Sequence, residues 1–370
     1  MKIDRIEIFR YRVPRAQGLK IASGHFVGGA NVAVKICTDT GPTGWGEASA
    51  FPFITGDSAD SNFAMAPAFA RHILDANPLA IAVRMREIGE LTVGEPSLRS
   101  AFDMALHDIA ARHAGMPLYR FLGGEARELL TDATIGLCDS VEETADRARQ
   151  LVAAGFGAIK VKTGRAGIAD LAHVASVRDL AGPERSLRID SNGGWDYPTA
   201  VRNLDAMSSL DLEYAEQPVA AARLRSLREL RGVLRTPICV DESVFTACDA
   251  LEVIRSDAAD FINIKLGKAG GLAMATRIEA VADAAGCACM VGCFEESRLG
   301  LTAAAHLAAA RPGIRFVDLD SAYNWDADPV IGGMTYVPDR GGLIRLPDGP
   351  GLGAALDENF LREYGESVTV

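Results

Sequence analysis

The feature that most constrains the fold is a regular alternation of short apolar strands and amphipathic helices, which begins near residue 130. The predicted strands read TDATIGL, GAIKVK, SLRID, LEYAEQP, PICVDES, FINIKL, CACMVG and RFVDLD, and a helical segment follows each of the first seven. Strands that alternate with helices pair in parallel, and eight of them are typical of a closed barrel. The sequence therefore predicts an α/β barrel over residues 126–325.

The regions on either side of this alternation have a different pattern. Residues 1–125 contain the strand patterns IDRIEIFRYRV and NVAVKICTDTGPTGWGEA, joined by a glycine-rich loop at 22–30 and followed by helices. Residues 326–370 are rich in turn-forming residues and do not continue the alternation. We expect an N-terminal α+β domain over 1–125 and a C-terminal tail over 326–370 that folds back onto it.

Charge and cysteine content exclude several classes of protein. The net charge of −11 argues against non-specific binding to nucleic acids and to anionic membranes. Cys287, Cys289 and Cys293 cluster, but their spacing fits no common zinc site, so we expect buried thiols in a reducing compartment. An N-terminus without an apolar leader segment favours the cytoplasm. Large barrels often form homo-oligomers, although nothing in the sequence marks a subunit interface.

Charged residues end five successive predicted strands. Lys162, Asp190, Glu216, Asp241 and Lys265 follow one another at intervals of 28, 26, 25 and 24 residues, each about one strand–helix unit. A single acid in such a position is more often a turn former or a helix cap. If all five were turn formers or caps, a charged residue would have to end each of the five strands by coincidence. A parallel barrel instead brings the carboxyl ends of its strands to one rim. We therefore expect these five side chains to face one cavity.

The three acids in this series predict a metal site. Asp190, Glu216 and Asp241 offer only oxygen ligands, which suit a hard cation. Three neighbouring carboxylates without such a cation would also repel each other strongly. Mg²⁺ is the first expectation and Mn²⁺ the second.

Lysines flank the predicted metal ligands. Lys162 lies on the second predicted strand and Lys265 on the sixth, so a metal-bound substrate would present one face to each. This arrangement suits removal of a proton α to a carboxylate through an enediolate. Lys160 shares a strand face with Lys162. Its charge, together with the cation, would favour the neutral form of Lys162, whose ordinary pKa is about 10.4.

The motifs at these positions resemble the enolase superfamily, and more narrowly its muconate lactonizing enzyme subgroup. They are KVK at 160–162, DSN at 190–192, EQP at 216–218, DES at 241–243 and NIKLGKAGG at 263–271. The resemblance implies a (β/α)7β modified TIM barrel with an α+β capping domain formed by the N-terminal region and the tail. It also implies that Lys162 and Lys265 are the acid/base pair and that the three acids bind Mg²⁺.

The eighth strand narrows the reaction within this subgroup. VDLDS places Asp318 and Asp320 on one face, and this motif resembles that of the dipeptide epimerases, where it holds the α-ammonium group of the substrate. MVGCFEESRLG at 290–300 and ITG at 54–56 resemble the same enzymes. We therefore expect epimerisation of a dipeptide at the α-carbon of its C-terminal residue. The substrate-binding residues that this implies are Asp318, Asp320, Glu296, Thr134, Ile54, Lys20 and His25.

Two departures from the alanyl-glutamate epimerases bear on the second residue of the dipeptide. By resemblance, those enzymes have an arginine at the position of Gly24 and a serine at the position of Gly136. These changes favour a substrate whose C-terminal residue is hydrophobic or otherwise not acidic. Glu295 would either favour a cationic side chain or be exposed to solvent, and exposure is the expectation.

Three alternatives stay open at the level of sequence. Asp318 and Asp320 could instead cap neighbouring backbone groups. The reaction could then be another one of the subgroup, such as N-acylamino acid racemisation, o-succinylbenzoate synthesis or muconate cycloisomerisation, because those substrates lack a free ammonium group. The barrel could also be a non-catalytic scaffold that binds a metal or a ligand, although such a protein would be expected to lose part of the lysine and carboxylate set.

Overall fold

A computed structural model describes residues 1–13, 18–22, 24–26, 28–337 and 340–370. The N-terminal region forms, in chain order, β1 (Ile3–Val13), β2 (Leu19–Ile21), β3 (Gly24–Phe26), β4 (Gly29–Thr38), β5 (Thr43–Ser49), α1 (Pro52–Thr55), α2 (Ala59–Ile73), α3 (Ile81–Leu91), α4 (Pro96–His113) and α5 (Leu118–Phe121). β1 pairs antiparallel with β4, and β4 with β5. The predicted strands and helices of this region are present, and β2 and β3 form a short hairpin at the start of the predicted glycine-rich loop.

Strands β1, β4 and β5 belong to the sheet of the N-terminal region, which we call the capping sheet. Helix α4 packs across this sheet at very short range. A Cβ atom on Gly46 would lie 1.9 Å from the carbonyl oxygen of Ala101, and one on Gly44 would lie 2.0 Å from that of Ala105. Only glycine allows backbones to approach this closely. The GWG sequence of β5 therefore fixes the strand against the helix.

The central region alternates strands and helices as the sequence predicts. It contains β6 (Leu129–Leu130), β7 (Ala133–Ile135), α6 (Val141–Ala153), β8 (Ala158–Lys162), α7 (Asp170–Ala181), β9 (Ser186–Asp190), α8 (Tyr197–Ala206), β10 (Leu212–Glu216), α9 (Leu224–Val233), β11 (Ile238–Val240), α10 (Ala247–Arg255), β12 (Phe261–Ile264), α11 (Leu266–Ala269), α12 (Leu272–Ala284), β13 (Ala288–Val291), α13 (Arg298–Ala310) and β14 (Ile314–Val317). Strands β7 to β14 form one parallel sheet in sequence order.

This sheet closes on itself. Thr131, just before β7, forms a parallel bridge with Val317 at the end of β14, and the Asp132 N–H donates to the Val317 carbonyl at 3.2 Å. A 3₁₀ turn at Ser321–Asn324 follows the last strand in place of an eighth helix. The parallel barrel predicted from the alternation is therefore confirmed, and so is the (β/α)7β form with a capping domain that the family resemblance implies.

The chain after the barrel forms β15 (Val330–Gly332), β16 (Thr335–Tyr336), β17 (Leu343–Arg345), β18 (Ala354–Leu356), α14 (Glu358–Tyr364) and β19 (Gly365–Thr369). β19 pairs antiparallel with β1 and extends the capping sheet, whereas β17 pairs with β6 beside the barrel. The tail thus contacts both regions. The limits of the three predicted domains stay a prediction.

Local signals explain where the helices begin. Ser140 caps α6 by accepting a hydrogen bond from the Glu143 N–H at 3.1 Å, but the Glu143 carboxylate accepts from the Asp139 N–H and so does not complete a capping box.

Of the clustered cysteines, only Cys289 is fully buried, while Cys287 and Cys293 are partly exposed. In the described part of the chain, none of the helices combines the length and the apolar composition needed to cross a bilayer.

Candidate active site

The residues predicted from the strand spacing come together at the carboxyl ends of the barrel strands, a rim that we call the barrel mouth. Lys162 on β8 is in register with Asp190 on β9, and Asp190 is in register with Glu216 on β10. Asp241 and Lys265 directly follow β11 and β12. All five side chains are buried. The barrel therefore places three carboxylates side by side with a lysine at each end of the row.

Each lysine of the barrel mouth has its own acidic partner. The Lys162 ammonium lies 2.5 Å from Asp190 Oδ2, and the Lys265 ammonium lies 2.7 Å from Asp241 Oδ2. Lys160, on the same face of β8 as Lys162, pairs with Asp318. The two neighbouring lysines of β8 thus form separate ion pairs, which offset their mutual repulsion.

Acidic neighbours decide the protonation of two of these lysines. Burial by itself lowers the pKa of Lys160, but the carboxylates of Asp318 and Glu216 outweigh burial and raise that pKa well above its ordinary value. The pKa of Lys265 is likewise raised, because Asp241 and Glu216 outweigh the effect of burial. These carboxylates therefore favour the charged form of both lysines. The expected influence of Lys160 on Lys162 stays a prediction.

The carboxylates are crowded and incompletely paired. Burial, followed by the charge of Asp190, raises the pKa of Glu216 to about 7, and burial with Asp241 raises that of Glu242 to about 8. Glu216 Oε2 and Glu242 Oε2 are buried without a hydrogen-bond donor, and the Lys160 ammonium lies 3.5 Å from the former. Buried oxygens that lack donors are suitable ligands for a hard cation. The donor set of Asp190, Glu216 and Asp241 thus fits a divalent metal ion.

Three polar residues that the sequence reasoning missed hold the carboxylates in place. The fully buried Lys268 lies 2.9 Å from Asp241 Oδ1 and donates to the backbone carbonyls of Val244 and Asn263. The Asn263 amide donates to Glu216 Oε1 at 2.6 Å. Lys268 and Asn263 both lie within the NIKLGKAGG motif, so this motif could have identified them.

Gln217, which follows Glu216, is the third of these residues. Its side-chain oxygen accepts a hydrogen bond from the Asp241 N–H at 2.9 Å. Its φ angle of 35° is in the left-handed region, which is costly for a residue with a side chain. The strained backbone is consistent with a constraint imposed by the site on the end of β10.

A cavity opens between the barrel mouth and the capping domain. The empty space between its lining residues, counted together with the open solvent at its entrance, is about 640 Å³. The described residues that line it are Ile21, Phe51, Ile54, Thr134, Lys160, Lys162, Asn192, Lys265, Cys293, Phe294, Glu295, Asp318, Asp320 and Ser321. Both predicted acid/base lysines and both acids of the eighth strand therefore face the same space.

Four predicted substrate contacts line this cavity: Asp318, Asp320, Thr134 and Ile54. Asp318 pairs with Lys160, which outweighs burial and lowers the pKa of Asp318 to about 2. The Thr134 N–H donates to Asp320 Oδ2 at 2.6 Å. Asp320 therefore makes one backbone contact of the kind that the capping alternative requires.

Three other predicted contacts have a different outcome. Among the described residues that line the cavity, Glu295 is present and Glu296 is not; the Glu296 side chain lies against Gly300 at the start of α13. The expected exposure of Glu295 is wrong, since only 7% of its surface is accessible. Lys20 does not line the cavity either, because its ammonium pairs with Asp139 at 2.7 Å. His25 pairs with Lys20 through the backbone, but its side chain lies outside the described residues.

An apolar wall stands opposite the acids. The rings of Phe51 and Phe294 stack with their centres 5.2 Å apart, and Ile21 and Ile54 pack beside them. The Lys265 ammonium lies over the Phe294 ring, 4.8 Å from its centre. Phe294, Cys293 and Ser321 were not predicted as cavity residues, because they lie beyond the strand ends where the chain no longer has a regular period.

Comparison with known proteins shows which family this chain resembles. Residues 5–123 match the family described as mandelate racemase / muconate lactonizing enzyme, N-terminal domain, and residues 143–360 match the one described as enolase C-terminal domain-like. The chain is 40% identical to an L-Ala-D/L-Glu epimerase of Bacillus subtilis, over 95% of this chain and 96% of the relative. It is 34% identical to a hydrophobic dipeptide epimerase of Enterococcus faecalis, over 95% and 99% of the two chains.

A solved structure shows the same similarity in three dimensions. The dipeptide epimerase of Cytophaga hutchinsonii, crystallised with Mg and the dipeptide D-Ala-L-Val, superposes with a TM-score of 0.97 over the full length of both chains at 35% identity. Sequence and structure thus agree over the capping domain as well as the barrel. The chain belongs to the enolase superfamily, within its mandelate racemase / muconate lactonizing enzyme family.

Proposed function

We propose that the protein is a metal-dependent dipeptide epimerase, an isomerase that moves a proton at the α-carbon of the C-terminal residue. The observation that carries this proposal is the cavity itself. It joins Lys162 and Lys265, at the two ends of the carboxylate row, with Asp318 and Asp320 of the last strand. The similarity to dipeptide epimerases over nearly the whole chain supports the same conclusion.

The metal site in this proposal consists of Asp190, Glu216 and Asp241. Their buried oxygens suit Mg²⁺, the ion found in the related Cytophaga hutchinsonii complex, and Mn²⁺ has the same ligand preference. When bound, the cation supplies positive charge that makes an α-proton beside a carboxylate easier to remove. Lys268 and Asn263 keep two of the ligands oriented.

Proton transfer is assigned to the two lysines at the ends of the row. In one direction of the reaction Lys162 takes the α-proton, and Lys265, whose charged form is favoured by Asp241, delivers a proton to the opposite face. The roles exchange in the other direction.

The remaining groups of the cavity are assigned to substrate recognition. Asp318 and Asp320 are the proposed partners of the substrate's α-ammonium group, with the Thr134 backbone holding Asp320 in place. The apolar wall of Ile21, Phe51 and Phe294 supports a hydrophobic C-terminal side chain. Glu295, which follows Phe294 in the chain, also lines the cavity, so a cationic side chain is the alternative preference at this position.

The test is a screen of a dipeptide library in deuterated water with Mg²⁺, in which a mass gain of one deuterium reports proton transfer at the α-carbon. We expect exchange with dipeptides that carry hydrophobic C-terminal residues and loss of exchange after chelation of the metal. Equal rates for L-Ala-L-Glu and for hydrophobic dipeptides would refute the side-chain preference. No exchange with any dipeptide would refute the function.

A second candidate is racemisation of an N-acylamino acid, which has no ammonium group. The pairing of Asp318 with Lys160 favours it, because that acid already has a cationic partner within the protein. An Asp320→Asn variant separates the two candidates. We expect it to lose most of its activity on dipeptides, whereas unchanged activity on the best substrate would favour the acyl substrate.

Three wider predictions belong to the same proposal. The substrate is a small molecule, and neither nucleic acid nor membrane is a partner, as the net charge of −11 suggests. The cytoplasm is the proposed location. Assembly into a homo-oligomer would be measured by light scattering.

A further inference from the structure

We infer that Glu47, a residue of the capping sheet, positions the segment 293–297 so that its side chains form one wall of the substrate cavity. Glu47 lies on β5, and the segment follows β13 of the barrel, 250 residues later in the chain. Glu47 does not line the cavity among the residues described there. It therefore acts through the segment and is a positioning residue.

The Glu47 carboxylate is almost completely buried and accepts five hydrogen bonds. Its Oε1 atom accepts from the Tyr11 hydroxyl at 2.6 Å, from the Asn31 amide at 2.6 Å and from the Ser297 N–H at 3.0 Å. Its Oε2 atom accepts from the Ser297 hydroxyl and from the Gly300 N–H, each at 2.8 Å. Two donors thus come from the capping sheet and three from the start of α13, so this carboxylate joins the two regions.

The position of the carboxylate suits the end of the helix that it contacts. Ser297 is the N-cap of α13, and backbone N–H groups in the first turn of a helix attract a negative charge. A Cβ atom on Gly300 would lie 3.0 Å from Glu47 Oε2, which explains why the smallest residue stands there. The helix can therefore approach Glu47 closely enough for its backbone to donate.

Asn31, on the neighbouring strand β4, extends this contact to the cavity wall. Its amide nitrogen donates to Glu47 and also to the backbone carbonyl of Glu295 at 3.0 Å. A Cβ atom on Gly29 would lie 2.9 Å from the same carbonyl, so β4 runs directly against the segment. The capping sheet consequently holds residue 295 through Asn31 and residue 297 through Glu47.

The consequence concerns substrate binding more than proton transfer. Phe294 and Glu295 line the cavity, and both belong to the segment that Glu47 and Asn31 hold. These hydrogen bonds do not involve the lysines or the metal ligands, which stand on or just beyond barrel strands, and the segment meets Lys265 through the weaker contact of the Phe294 ring with its ammonium group. Displacing the segment should therefore weaken binding of the dipeptide while leaving the chemical step nearly intact.

The test compares Glu47→Gln with a matched control. The amide of the variant would point an N–H₂ group at donors of the segment, which breaks part of the network. Asp108→Asn changes another buried carboxylate of the capping domain, which accepts from the N–H groups of Trp45 and Leu352. Amide hydrogen exchange of peptides covering 293–300 and the steady-state constants KM and kcat are measured for both.

For Glu47→Gln we expect faster amide exchange over 293–300, a KM for the dipeptide about tenfold higher, and a kcat within about threefold of the wild-type value. Asp108→Asn should leave all three unchanged even if its unfolding temperature falls. If Glu47→Gln does not fold, Asn31→Ala is the replacement, because it removes the contacts to both Glu47 and Glu295.

Two results would overturn the inference: equal exchange over 293–300 in Glu47→Gln and the control, or a kcat that falls as much as KM rises. The kinetic part depends on the proposed function, but hydrogen exchange does not. If the wild-type protein is inactive on every dipeptide, the proposed function fails and hydrogen exchange alone decides the role of Glu47.

Discussion

Two buried regions of this protein show opposite chemistry. The capping core is the apolar cluster between the capping sheet and its helices, and it includes Ile6, Phe69 and Phe102. The barrel mouth is equally buried but contains ion pairs such as those of Lys162 and Lys265. Apolar burial stabilises a fold directly, whereas the desolvation of charges opposes it even when they are paired.

This difference shows what each region contributes. The capping core can be explained by stability alone, because each of its side chains gains from leaving water. The barrel mouth gains little stability from its charges, so their presence is explained by the chemistry that they perform. Substitutions in the mouth should therefore reduce activity more than stability, and substitutions in the core should do the reverse.

The largest expected effect is on catalysis. Lys162→Ala removes a group that no neighbouring side chain can replace in proton transfer, so we expect the rate of epimerisation to fall by about 10³-fold. Circular dichroism should show an intact fold. Activity above a tenth of the wild-type rate would show that Lys162 is not the base.

The matching change in the capping core should act on stability. Phe102→Ala removes a fully buried ring that packs edge-on against Phe69, 5.6 Å between centres, and we expect the free energy of unfolding to fall by about 3–5 kcal/mol. At a temperature where the variant is folded, kcat and KM should stay near the wild-type values. A smaller loss is expected for Phe102→Leu, and a kcat that falls with the ring would contradict the separation of roles.

His306 tests a buried titratable group outside the mouth. Burial lowers its pKa to about 4, and its Nδ1 atom accepts a hydrogen bond from the Tyr119 N–H at 3.2 Å. The folded protein keeps this histidine neutral, whereas the unfolded chain protonates it near pH 6.5. The free energy of unfolding should therefore fall as the pH drops from about 6.5 toward 4, by about 2 kcal/mol from this residue.

Urea unfolding at pH 7 and at pH 4.5 measures this contribution. His306→Gln should be less stable at pH 7 but should lose about 2 kcal/mol less between the two pH values than the wild-type protein does. An equal loss in both proteins would show that another group causes the dependence on pH.

The smallest expected effect concerns Lys160. In Lys160→Met, loss of a positive charge and release of Asp318 both favour the protonated form of Lys162, so the pH dependence of the step in which Lys162 acts as the base should move to higher pH. The pH–rate profile measures this shift, and Lys160→Arg, which keeps the charge, is the control. An unchanged profile for the methionine variant would remove the proposed role of Lys160.

The predictable part of the site is the part tied to the barrel's period. Lys162, Asp190, Glu216, Asp241 and Lys265 were identified because one strand–helix unit separates each from the next, and a parallel barrel turns that interval into neighbouring positions on its rim. The residues that sequence reasoning misplaced lie in segments without a period. Glu295 and Glu296 are adjacent in such a segment, and only packing against the capping sheet decides which of them faces the cavity.

The sequence by itself determined the barrel, the row of charges at its mouth and the type of chemistry, because these depend on regular spacing along the chain. The tertiary structure alone decided which charges pair. Lys160 meets Asp318 across 158 residues, and Glu47 meets Ser297 across 250, through the closure of the barrel and the docking of the capping sheet. Contacts between distant segments follow from how the whole chain packs, and no local pattern encodes them.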